Sequence, residues 1–77
     1  MVRVELLEKV VNAKKNYELK NMEEAGKAWV DIYNIIEKLE KTENKEKVMH
    51  EYHHTMALFS DDEVYGITNY LKQKAGC

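Results

Sequence analysis

Between residues 22 and 39, apolar side chains return at helical intervals. Met22, Ala25, Trp29, Ile32, Ile36 and Leu39 follow one another at steps of 3, 4, 3, 4 and 3. At about 100° per residue, that spacing lays six apolar groups along one stripe of an α-helix. Glu23, Lys27, Asp31 and Lys38 lie opposite the stripe, and Glu23–Lys27 and Glu37–Lys41 stand at the i,i+4 spacing of helical ion pairs. Further on, Val48, Tyr52, Met56 and Phe59 share one face of a third helical segment. Val64, Ile67 and Leu71 share a face of a fourth, with Tyr70 flanking.

The N-terminal segment differs in carrying two stripes. Leu6, Val10, Ala13 and Tyr17 form one. Val4, Leu7 and Val11 form the other, rotated by roughly 120–140° at the helical step. A helix apolar on two sides is either wedged centrally among its neighbours or used at an interface. Val2 to Leu6 also alternates like a strand, but the chain offers no second strand to pair with it.

Breakers are scarce. Proline is absent and glycine occurs only at 26, 66 and 76, so helix boundaries must come from caps. Asn21-Met22-Glu23-Glu24 and Ser60-Asp61-Asp62-Glu63 each read as an N-cap with glutamate three residues on. Thr42-Glu43-Asn44 is a polar break in which Thr42 or Asn44 caps the next helix. The reading is a single all-α domain, residues 1–77, built as a compact array or bundle of four short helices at about 3–20, 22–41, 45–59 and 61–75. Its short connections make successive helices antiparallel neighbours or sharply angled.

Size limits the stability available. A domain of 77 residues buries only about 60–65% of the surface its unfolded chain exposes. Cys77 is the single cysteine, which excludes a disulfide within the chain and fits a reducing compartment. It reads as structurally idle or as a site of adventitious crosslinking. No uninterrupted apolar run reaches signal-peptide or membrane-span length. The expected location is cytoplasmic, with no membrane partner.

Charge is plentiful but mixed: 12 basic and 14 acidic residues, net −2, with a pI near 5.9. The basic strip of Lys9, Lys14, Lys15 and Lys20 is short, and tight phosphate-backbone binding calls for a broader basic patch. Nucleic acid is a disfavoured partner.

One string suggests chemistry. His50-Glu51-Tyr52-His53-His54 matches H-E-x-x-H, in which two histidines hold zinc and the glutamate acts on the bound water. Glu51 and His54 also fit the Glu-x-x-His spacing of di-metal carboxylate bundles. Against this, helical geometry turns His50 and His54 roughly 150–170° from the apolar face around Tyr52, Met56 and Phe59. A third ligand is also missing at the metzincin spacing, where Ala57 and Ser60 stand. The favoured reading is a solvated histidine-rich face, with no metal and no cofactor.

Residues 17–35, YELKNMEEAGKAWVDIYNI, resemble the turn and second helix of a tetratricopeptide repeat through the Asn21–Ala25 turn, Trp29 four residues after Ala25, and Ile35. The resemblance implies a protein- or peptide-binding scaffold with Ala25 as the small residue between paired helices. Lys20 and Ile32 depart from that pattern where it has small residues, and its terminal proline is missing.

No Gly-rich phosphate loop, nucleophile elbow or Cys–His arrangement is present. The functional expectation is a non-enzymatic regulator or inhibitor of the adaptor, immunity, antitoxin or anti-defence type. It would bind another protein or a second copy of itself. Val4, Leu7, Val11, Tyr33 and Tyr65, which lie outside the main stripes, are the expected contacts. The alternative is a metal-binding helical protein or metal-dependent hydrolase using His50, Glu51 and His54.

Overall fold

The computed structural model describes residues 2–76. Helix α1 spans Val2–Glu18, α2 Met22–Thr42, α3 Lys45–Met56 and α4 Asp61–Ala75. No strand occurs among the described residues, and the alternating Val2–Leu6 segment is helical. Cys77 lies outside them.

Helix α2 is the most strongly amphipathic of the four and forms the spine. Its stripe is buried from Ala25 to Leu39, and Met22 is half-buried. Trp29 is 2% exposed and meets Phe59 edge-on, with ring centroids 4.9 Å apart. Leu6, Ile32 and Ile67 complete the set of large, fully buried side chains. Each buried aliphatic group of this size contributes roughly 1.5–3 kcal/mol relative to exposure.

Helix α1 packs most extensively on α2. Lys9 pairs with Asp31 at 3.1 Å, while Val2 shares a cleft with Leu39, so the two helices run antiparallel. Helix α3 is antiparallel to α2 in turn, with Tyr52 beside Tyr33 and Val48 beside Glu40. Helices α1 and α3 are therefore parallel. Arg3 of α1 reaches Glu51 of α3 at 2.7 Å, and Lys14 donates to the carbonyl of Leu58, in the connection that follows α3, at 2.9 Å. Helix α4 closes the end where α1 stops and α2 begins. There Tyr17 covers Gly66, Leu71 covers Gly26, and Lys14 pairs with Glu63 at 2.8 Å.

The structure corrects several boundaries. Helix α1 stops at Glu18 rather than residue 20. The Asn21 N–H bonds to the Asn16 carbonyl at 2.8 Å and the Lys20 N–H to that of Tyr17 at 3.0 Å, with Lys20 left-handed at φ 61°. This is the 6→1 and 5→2 pairing of a Schellman stop, with lysine where glycine is usual. Asn21 is consequently committed to closing α1. Its side chain makes no cap bond to α2 and turns to Asn16 instead. Helix α3 ends at Met56 rather than 59. Tighter i→i−3 bonds, Leu58 N–H to Thr55 and Phe59 N–H to Met56, curl the chain so that Phe59 still reaches the core.

The other caps form as expected. Asn44 accepts from the Lys47 N–H at 2.9 Å. Ser60 and Glu63 form a full capping box, at 3.2 and 2.8 Å. The i,i+4 pairs Glu23–Lys27 and Glu37–Lys41 do not form. Lys27 contacts Glu24 at 3.5 Å and Lys47 contacts Glu43 at 3.4 Å. Exposed pairs of this kind are worth a few tenths of a kcal/mol, so rotamer entropy decides between neighbours. The α3 face is also rotated from its expected position. Glu51 and Thr55 are buried while Tyr52 and Met56 are half-buried. Arg3 meets the Glu51 charge and the Thr55 hydroxyl donates to the Glu51 carbonyl, which allows both to face inward.

Candidate protein-binding surfaces

Leu6, Val10 and Ala13 supply the buried contribution of α1, at 2%, 3% and 0% exposure. Val4, Leu7 and Val11, on the other side of the helix, are 49%, 42% and 64% exposed. Helix α1 is therefore not wedged centrally, and its second stripe faces solvent. Arg3, Leu7 and Lys14 succeed one another along one edge of the helix, so the exposed stripe borders the seam with α3 and α4.

Tyr33 and Tyr65 are exposed but lie elsewhere. Tyr65, 78% exposed on α4, borders a shallow depression with Thr68, Asn69 and Lys72. Tyr33 lies in a cleft of about 520 Å³ between α2 and α3, beside Tyr52, Val48 and Met49. Its ring stands edge-on to Trp29 at 5.8 Å and nearly parallel to Tyr52 at 6.4 Å. Burial, and then the adjacent Tyr52 phenol, raise the pKa of the Tyr33 hydroxyl above its ordinary value. The five residues expected at contacts thus mark three places: Val4, Leu7 and Val11 on one face of α1, Tyr33 in the α2–α3 cleft, and Tyr65 on α4.

The histidine string divides across its helix. His50 and His54 are exposed, their rings parallel at 6.4 Å between centroids. Glu51 points inward, and its bond from Arg3 holds its carboxyl below the usual range against the opposing effect of burial. Arg3 is raised in return. Among the described residues, no three His, Cys, Asp or Glu side chains converge as a metal-binding set. No helix of the described residues is long and apolar enough to cross a membrane.

Glu63 is the other inward carboxylate. Burial alone would raise its pKa, but the Lys14 ammonium and the Ser60 backbone and side-chain bonds outweigh burial and lower it. Every fully buried side-chain nitrogen or oxygen among the described residues has a partner. No family model, curated protein or solved structure matches the chain. Residues 17–35 form the α1–α2 turn and most of α2, with Ala25 and Trp29 buried.

Sequence reasoning missed the cleft around Tyr33. Val48 and Tyr52 read as core-facing, Glu37 as the partner of Lys41, and Met49 and Glu40 carried no signal of their own. The cleft arises from pairing two helices, and the only hint was an aromatic residue outside the α2 stripe.

Proposed function

We propose that this protein is a small non-enzymatic regulator or inhibitor that binds another protein through the exposed apolar face of α1. The observation that carries the reading is the exposure of Val4, Leu7 and Val11 on a helix whose other stripe already fills its share of the core. Three aliphatic groups at i, i+3 and i+7 make a ready contact for an apolar surface of a partner or of a second copy. The basic edge of Arg3 and Lys14 is held by Glu51 and Glu63, and the exposed Glu8, Lys15 and Glu18 share the face with the apolar stripe by the helical step.

The test is Val4→Glu/Leu7→Glu/Val11→Glu, examined by circular dichroism, light scattering and affinity capture. The expected variant stays helical, and it loses the self-association or the retained partner that the parent chain shows. A folded variant with unchanged oligomeric state and unchanged partner retention overturns the reading. So does a variant that unfolds, because that would make the stripe part of the core.

A further inference from the structure

The cleft between α2 and α3 differs in chemistry from the α1 face. Tyr33 and Met49 are exposed in it at 41% and 45%. Its floor is anchored, since Tyr33 leans edge-on against the buried Trp29 and stacks on Tyr52. Two carboxylates line the same cleft, those of Glu37 and Glu40. Neither forms an ion pair with any described residue, although Lys41 stands one turn beyond Glu37. Glu43, by contrast, is held by Lys47. With Ile32 and Ile36 facing the core, the helical step turns Glu40 and Glu37 toward α3 and Lys38 toward α1. An adjoining depression lined by Glu40, Lys45, Val48 and Met49 extends the cleft past the start of α3. The surface thus offers tyrosine faces, a flexible methionine and, along α2, two carboxylates outside any ion pair, with Lys45 of α3 the cation that lines the adjoining depression.

We propose that this cleft docks a lysine- or arginine-bearing amphipathic helix of a partner protein. An apolar anchor of that helix packs on Val48 and Met49, and a cationic group lies against the tyrosine rings within reach of Glu37 and Glu40. Charge complementarity selects the occupant. Ring faces attract cations, and methionine adapts to varied apolar side chains. Two carboxylates outside any ion pair, against one lysine, Lys45, in the lining, repel acidic segments and draw basic ones. A helix laid in a groove presents anchors at i, i+3, i+4 and i+7, which suits an elongated cleft between two helices. This docking does not depend on the α1 face.

The probe is a capped leucine–lysine peptide with leucines at i, i+3, i+4 and i+7, titrated into the full chain and followed by amide chemical shifts. Its leucine–glutamate counterpart is the control. The lysine peptide is expected to perturb Tyr33, Met49 and Tyr52, with affinity falling as salt rises. Glu37→Lys/Glu40→Lys should weaken it by about tenfold or more. Glu5→Lys/Glu8→Lys makes the same net change at exposed acids of α1 that pair with none of the described residues and should weaken it by less than about twofold. Val4→Glu/Leu7→Glu/Val11→Glu should leave binding in place, which separates this test from that of the α1 face. The proposal is overturned by absence of binding, by equal binding of the glutamate peptide, by equal losses in the two lysine double variants, or by shifts confined to α1.

Discussion

Gly66 lies so close to Tyr17 that a methyl group placed on it would stand 2.6 Å from the ring's Cε1. The Tyr17 hydroxyl in turn donates to the Asp62 carbonyl at 3.2 Å, so the ring is tethered at its far end. Glycine inside a helix costs about 1 kcal/mol relative to alanine. Here that cost allows the close approach of α1 to α4. Gly66→Ala is expected to destabilise the protein despite its better helix propensity. In a Tyr17→Ala background the same substitution should stabilise by up to about 1 kcal/mol. Urea titrations of the four proteins in this cycle read the sign reversal directly. Ala replacing Gly66 with the same effect in both backgrounds would show that the ring does not restrict the site.

At the scale of elements, the N-caps are unequal in a way their sequences conceal. Asn44 and Ser60 each accept a backbone N–H, while Asn21 makes no cap bond. Asn44→Ala and Ser60→Ala are each expected to cost about 1 kcal/mol. Asn21→Ala should cost less, because only its 3.5 Å side-chain contact with Asn16 is lost. Thermal melts of the three variants, ranked by midpoint, check the order. The same contrast explains how far the sequence could be read. Existence and order of the helices followed from apolar spacing: Trp29, Ile32, Ile36 and Leu39 repeat at helical intervals and are buried, as are Leu6, Val10 and Ala13 in α1. The end of α1 did not, because its stop uses Lys20 in a conformation that glycine usually signals. The inward turn of Glu51 was equally hidden. It depends on Arg3, 48 residues away in sequence, and charge spacing within α3 carries no trace of that partner. Exposure of Val4, Leu7 and Val11 depends on α3 and α4 flanking α1 along a single edge, a tertiary arrangement that apolar spacing within α1 does not encode.

Over the whole molecule, two inward carboxylates join α1 to the C-terminal half: Glu51 through Arg3 and Glu63 through Lys14. Both have pKa values below the ordinary 4.5. A carboxyl lowered in the fold adds stability that is fully present above its unfolded pKa. That stability drains away as pH falls below about 4.5 toward the folded value. Urea midpoints should therefore hold level for these two groups from neutral pH down to mildly acidic conditions, then fall below about pH 4.5. Glu63→Gln should lower stability at neutral pH and flatten that acid limb. An acid limb as steep as the parent's would mean that Glu63 does not contribute to it.

Trp29 is the single tryptophan of the chain, buried where all this packing meets and edge-on to both Phe59 and Tyr33. The molecule therefore carries its own optical gauge. Selective excitation of that indole reports from the dry interior, so its emission should shift to longer wavelength when the helices separate and water arrives. Because Tyr33 touches the indole on one side and lines the α2–α3 cleft on the other, a helix seated there would also change the emission intensity without unfolding the chain. Assembly of the core and occupancy of the cleft can thus be followed in unlabelled protein, by one intrinsic chromophore.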